Sequence, residues 1–285
     1  MTNPKNNVIS FLNMKGGVGK TTLCLSLAYQ LTNDYDKKIL IIDMDPQFNA
    51  TQTMMEQYNL INDYLDDYRE KKTVKRIFDR KQTLAGSVEE ESVEPDEIII
   101  SSDINSNLDI ICGNIDLIFE DKNQDSVSKK RLDIFLKKHN LRNEYDFIFI
   151  DCPPTISFFT DASLIASDHY LIPVKIDKFS TLGVKMLDNV VGLMKEDPDF
   201  RINCLGIIYT LQEDQKKLEG IREVFEENSI VSRYNIFDNG MKKHNHLLSG
   251  ERGNIAYNYE ETKGDMLLIC NEFLFAYEQV GEPGE

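Results

Sequence analysis

Short apolar runs recur along the chain, each stopped by glycine, aspartate or proline and most followed by a stretch with helical spacing. Val8-Ile9-Ser10-Phe11-Leu12 ends at a glycine-rich loop, and Leu23, Leu27, Ala28 and Leu31 then share one face of a helix spanning Thr21 to Leu31. Ile39-Leu40-Ile41-Ile42 ends in Asp43-Met44-Asp45-Pro46, and Phe147-Ile148-Phe149-Ile150 ends in Asp151-Cys152-Pro153-Pro154. Two more runs, Tyr170 to Val174 and Leu205 to Tyr209, stand apart from their neighbours by helix-length segments. Strands that are apolar at successive positions are buried on both faces, so the pattern predicts an α/β fold: a mainly parallel, twisted sheet with helices on both faces. Ligands of such a sheet bind beyond the carboxyl ends of its strands. The glycine loop and both aspartate turns fall at those ends.

The pattern weakens between Thr51 and Leu108. Residues 55–105 read as a variable, partly acidic segment of a single domain covering residues 1–285, with the acidic stretch Val88 to Pro95 as a solvated loop. Near the end, Met266, Leu267, Leu268, Ile269, Phe273, Leu274 and Phe275 predict a final helix packed on the core.

Composition narrows the classes. With 41% hydrophobic residues over 285 positions the chain can bury a sizeable core. A net charge of -16, from 48 acidic and 32 basic residues, opposes indiscriminate adhesion to polyanions, so any nucleic-acid contact needs a local basic patch. The five cysteines, Cys24, Cys112, Cys152, Cys204 and Cys270, include no C-x-x-C pair and read as buried thiols of a reducing cytoplasm. No apolar run approaches the roughly 18 residues of a membrane span, and no signal sequence opens the chain, so a cytoplasmic protein is expected.

The chemistry concentrates in Ser10-Phe-Leu-Asn-Met-Lys-Gly-Gly-Val-Gly-Lys-Thr-Thr22. Gly19-Lys20-Thr21 completes the phosphate-loop pattern G-x-x-x-x-G-K-[ST], Met14 stands at its first glycine, and Lys15 is an additional cation. Backbone N–H groups of Lys15, Gly16, Gly17, Val18 and Gly19, with the N-terminus of the following helix, suit phosphate oxygens, and glycines permit the close approach. Lys20 is expected on the β- and γ-phosphates, Thr21 on Mg²⁺ and Thr22 on the α-phosphate. Asp151 closes an apolar strand as a Walker B carboxylate would, oriented to Mg²⁺ directly or through water. Asp43 and Asp45 sit two apart in extended backbone and face the same side. One of the two can reach the metal shell and the attacking water, and Thr21, Asp43 and Asp151 form the candidate metal set.

"KGGVGKTT", "IIDMDPQFNAT" and "FIFIDCPPT" together resemble the deviant-Walker ATPases of the ParA/MinD group, and the plasmid and chromosome partition ATPases, ParA, in particular. "NLDIICGNIDL", "ASDHYLIPVKIDKFSTLGVKML" and "LGIIYTL" follow in the family's order, so the resemblance covers nearly the whole chain. It implies a P-loop fold that binds ATP and Mg²⁺ and forms an ATP-sandwich homodimer, in which Lys15 matches the signature lysine that reaches the partner's phosphates. It also implies that Asp45 is the switch I aspartate that positions the attacking water and that Asp151, with Pro153 and Pro154, forms switch II. Asn239 corresponds to the asparagine beside the adenine, while Phe237 stands where the family carries proline.

Two jobs share this engine: membrane positioning, as in MinD, and DNA partition. After Lys263 the chain has no Lys or Arg, which suits an anionic bilayer poorly. Nonspecific DNA is the expected ligand of the ATP-bound form, with Arg233, Lys242 and Lys243, beside His244 and His246, as contact candidates. A second basic cluster is Lys129-Lys130-Arg131 with Lys137 and Lys138. Only seven residues precede the first strand, so no operator-reading helix-turn-helix is expected. The reading implies a nucleoid-associated state with ATP and slow hydrolysis stimulated by a centromere-binding, ParB-type partner. The alternatives are a MinD-like membrane ATPase and a P-loop regulator without partition activity.

Overall fold

The computed structural model describes residues 5–82, 88–90, 93–117, 127–213, 215–250 and 253–281. Its strands are β1 (Val8–Phe11), β2 (Ile39–Asp43), β3 (Arg80–Gln82), β4 (Val88–Glu90), β5 (Leu108–Ile111), β6 (Phe147–Asp151), β7 (His169–Val174) and β8 (Asn203–Tyr209). Six of them form one sheet in the order β5-β2-β6-β1-β7-β8, and every adjacent pair is parallel. The longer helices are α1 (Lys20–Asp34), α2 (Asn49–Gln57), α3 (Arg131–Lys138), α4 (Phe158–Ala166), α5 (Ser180–Met194), α6 (Gln215–Glu226) and α7 (Glu260–Gly281).

Alternate strand residues enter two separate cores. Val8, Leu40, Ile42, Ile148 and Ile150 pack with apolar residues of α3, α4 and α5, whereas Ile9, Phe11, Ile41, Phe147 and Phe149 pack with those of α1, α2 and α7. The Phe11 and Phe149 rings meet edge to face at 5.0 Å between centroids. Each buried side chain of this size contributes about 1.5–3 kcal/mol, so both layers are needed to hold the strands in register.

The hydrophobic pattern alone does not reveal β5. Asp109 interrupts its apolar run, yet it is buried and accepts a hydrogen bond of 2.7 Å from the Tyr145 hydroxyl. The acidic stretch also takes up regular structure over its described residues, where a loop was expected. Val88–Glu90 pairs antiparallel with Arg80–Gln82, Val93 is buried, and Glu94 and Glu97 form a capping box around the helical turn Pro95–Ile98. Residues 91 and 92 lie outside the described set.

The last helix forms where expected, and Met266, Ile269, Cys270 and Phe273 are buried against α1 and the sheet. Leu267, Leu268 and Phe275 are exposed instead, because the helix offers only one face to the core. Beyond β8, residues 235–243 run alongside that strand: Phe237 N–H donates to the Ile207 carbonyl at 2.9 Å and Met241 N–H to the Tyr209 carbonyl at 2.8 Å. Phe237 is fully buried against Gly206, where an added Cβ would come within 2.7 Å of the ring. All five cysteines are free thiols.

Candidate functional site

The loop between β1 and α1 is gripped from both sides. Asn13 donates its amide to the Pro173 carbonyl at 2.8 Å, at the end of β7, and accepts from Lys15 N–H at 3.1 Å. The Thr210 hydroxyl, just after β8, donates to the Val18 carbonyl. Gly17 and Gly19 take φ values of 70° and 80°, the left-handed region that glycine enters without strain. Gly16 and Gly17 are exposed, with nothing within 4 Å of where a Cβ would stand, so a phosphate group has access to their backbone.

Behind the loop the carboxylates converge. Asp43 and Asp151 are partners in the β2–β6 ladder, and both are fully buried. The Thr21 hydroxyl donates to Asp151 Oδ2 at 2.6 Å, while Asp151 Oδ1 is buried with no hydrogen-bond partner among the described residues. Burial pushes the Asp151 carboxyl up to about 7, against the opposing effects of the Thr21 hydrogen bond and the Lys20 charge. An orphaned carboxylate oxygen beside a serviceable hydroxyl is the donor set that a hard divalent cation such as Mg²⁺ takes. The residues present thus fit that group.

Asp43 is engaged differently. Its Oδ2 accepts from both the N–H and the hydroxyl of Thr51 at 2.8 Å, and its Oδ1 from Asp45 N–H at 3.2 Å. Burial and the nearby Asp151 charge raise its pKa well above the usual carboxylate value. This geometry favours a supporting position for Asp43, holding the turn that carries Asp45, over direct ligation. Asp45 is also buried and accepts from Gln47 N–H at 2.9 Å; burial raises its pKa, and the Gln47 N–H and the Lys20 charge oppose the rise. Lys20, itself buried, therefore sits within electrostatic reach of both Asp45 and Asp151. Thr22 is half-buried at the first turn of α1.

Lys15 points elsewhere. Its ammonium forms an ion pair with Asp177, and both side chains remain partly exposed. Asp177 is braced by Phe179 N–H at 2.8 Å and the Ser180 hydroxyl at 3.3 Å. Burial would raise its pKa, but these bonds and the one from Lys15 hold it below the usual carboxylate range. Gly183 of α5 lets that helix approach the loop: a Cβ there would stand 2.4 Å from Asn13 Oδ1. At the start of α5, Phe179, Leu182 and Met186 expose apolar side chains.

The remaining candidates are scattered. Asn239 lies on the far side of the β8 end from the phosphate loop, and its backbone and side-chain amides both donate to Glu272 of α7 at 3.1 Å. Each DNA candidate already has an acidic neighbour: Arg233 with Asp188 at 2.7 Å, Lys242 with Asp265 at 3.0 Å, and Lys243 with Glu213 at 2.7 Å. Lys242 and Lys243 line one open pocket with His244 and His246, while Arg233 pairs with α5 instead. In the second cluster Arg131 is buried and donates to the Phe78 and Asp79 carbonyls at 2.8 Å, and Lys129 pairs with Asp161 at 2.6 Å. Sequence reasoning missed Asn13, Thr51, Asp177, Thr210 and Glu272. Asn13, Thr51, Asp177 and Thr210 lie inside motif stretches that were readable, while Glu272 had no such signal.

Comparison with known proteins bears on the family and the fold. The AAA domain model AAA_31 matches residues 6–203. An uncharacterized protein of Methanocaldococcus jannaschii, MJECL24, is 30% identical over 225 residues, covering 76% of this chain and 80% of that protein. The chromosome partitioning protein ParA of Myxococcus xanthus is 28% identical over 207 residues, covering 72% of this chain, which spans 64% of that relative's length. Among solved structures, a plasmid partition protein from Borrelia burgdorferi superposes with a TM-score of 0.71 at 21% identity, covering 95% of this chain and 99% of that one. Cobyrinic acid a,c-diamide synthase from Mycobacterium smegmatis, with bound ATP analog and magnesium, does so with a TM-score of 0.71 at 19% identity and 97% coverage of both chains. At those identities the two structures are alike in fold alone. No helix among the described residues is long and apolar enough to cross a membrane.

Proposed function

The chain belongs to the AAA_31 family of ParA/MinD-type P-loop proteins, and we propose that it is a partition ATPase: it binds ATP with Mg²⁺, pairs two copies across their phosphate loops, holds nonspecific DNA in that state, and hydrolyses ATP when a centromere-binding partner engages it. The observation that carries this reading is the placement of Lys15. It flanks the phosphate loop without entering the cluster of Lys20, Thr21, Asp45 and Asp151, and lies partly exposed, paired with Asp177 and close to Gly183 of α5. A cation held there is available to a second copy.

Within one subunit, the loop N–H groups from Lys15 to Gly19 and the first turn of α1 receive the phosphates, and Lys20 balances the charge on the transferring group. Thr21 and the free oxygen of Asp151 are the residues that would hold Mg²⁺, which, when bound, neutralises phosphate charge. Asp45, fixed by Gln47 N–H and placed near Lys20, orients the attacking water, and Asp43 steadies the turn through Thr51. Lys15 of the second copy adds positive charge as phosphoryl transfer proceeds, much as an arginine finger does.

Retention on random-sequence DNA, measured beside solution mass, tests the proposal. With ATP and Mg²⁺ the mass doubles and DNA is retained, and retention falls as salt rises because each phosphate contact releases counterions. Lys15→Ala abolishes the doubling. Equal retention with ADP, an unaltered Lys15→Ala protein, or binding to anionic vesicles in place of DNA would each sink the reading.

A further inference from the structure

We propose that Glu272, on the C-terminal helix, is a positioning residue for base recognition, fixing which edge of the Asn239 amide the nucleotide base meets. The inference rests on the reading of Asn239 as the residue beside the base. The Glu272 carboxylate accepts from Asp238 N–H at 2.6 Å, from Asn239 N–H at 3.1 Å, and from the Asn239 side-chain nitrogen at 3.1 Å. A carboxylate offers only acceptors, so the NH₂ of Asn239 must face it and the carbonyl Oδ1 must face away.

The clamp is built into the frame of the phosphate site. Tyr209, Thr210 and Gln212 link the two: Thr210 bonds the loop at Val18, while Tyr209 and Gln212 exchange backbone hydrogen bonds with Met241, two residues beyond Asn239. Docking of α7 itself does not depend on Glu272, since Met266, Ile269, Cys270 and Phe273 of that helix are buried and supply its packing. The three bonds of Glu272 therefore act on the 238–239 turn. With its NH₂ held back, Asn239 presents an acceptor, which suits the 6-amino group of adenine and opposes the 6-oxo group of guanine. An acceptor facing another acceptor forfeits a hydrogen bond on each side, enough for about tenfold in affinity.

The test measures the affinities of ATP and GTP, and of ATP and ADP, for the full chain and for Glu272→Ala, Glu272→Gln and Asn239→Ala. The unaltered protein should prefer ATP to GTP by at least about tenfold. Asn239→Ala should erase most of that preference. Glu272→Ala should lower it several-fold. Glu272→Gln should lower it less than Glu272→Ala, because its carbonyl oxygen can still accept from both Asn239 nitrogens and only the Asp238 N–H loses its acceptor. The ATP to ADP ratio should stay constant throughout, since the phosphates bind at the other end. If Asn239→Ala keeps the preference for ATP, the base reading fails and takes the clamp with it. If Asn239→Ala erases the preference while both Glu272 variants keep it, the clamp alone is overturned; equal weakening of ATP and GTP in the Glu272 variants, the mark of a merely structural role, overturns it too.

Discussion

Gly183 decides how closely α5 can lean on the phosphate loop. An added methyl would stand 2.4 Å from Asn13 Oδ1, and Asn13 cannot readily retreat because its amide is tied to the Pro173 carbonyl. Gly183→Ala is therefore expected to destabilise the protein by about 1–3 kcal/mol and to weaken ATP binding, as the loop shifts with Asn13. Thermal melting and nucleotide titration read the two effects, and an unchanged melt would mean that Asn13 turns aside freely. At this scale the loop glycines, Lys20, Thr21 and Asp151 were legible, since phosphate chemistry dictates residue types at fixed spacing. Asn13's partner and Asp177 were not, because their roles arise where β7 and α5 close around the loop. The orphaned oxygen of Asp151, which makes the case for Mg²⁺, exists only once the sheet has removed water from it.

Elements were readable where apolar residues were consecutive and less so where one polar group was hidden. β5 escaped because Asp109 looks like a strand breaker until Tyr145 supplies its hydrogen bond. α7 was evident as a helix, but which residues it buries depended on the neighbours it met. The seam between β7 and α7 leads to a pH prediction. His169 is buried at the start of β7, its ring edge-on to Tyr277 at 5.6 Å, and burial lowers its pKa below 6.5 even though the charge of Asp168, itself engaged by Arg142, acts the other way. The fold thus keeps the imidazole neutral while the unfolded chain protonates it near 6.5. Its stabilising contribution is present above that value and is lost as pH falls toward the lowered folded value. Melting curves at pH 7.5 and 5.5 should show a smaller acid loss for His169→Phe than for the unaltered chain; equal losses would place the acid sensitivity elsewhere.

Across the whole molecule, charge governs what DNA binding would require. With a net charge of -16, and with Lys242 and Lys243 each held by an acidic neighbour, the surface offers few uncommitted cations where contact is expected. Asp265→Asn combined with Glu213→Gln should strengthen ATP-dependent retention on DNA and steepen its dependence on log salt by about one to two, as one or two more phosphates are neutralised. An unaltered slope would remove these lysines from the contact surface. The overall architecture was legible because parallel sheets announce themselves by doubly buried strands, whereas the pairing of surface charges depends on side chains brought together from distant segments. The Lys15–Asp177 pair, finally, bears on abundance. A partly exposed ion pair contributes about 0.2–1 kcal/mol, and the proposed dimer must release two of them, one from each copy. That raises the concentration at which half the chains are paired by up to about thirtyfold, so the expression level of the protein, and not nucleotide supply alone, would set when it acts.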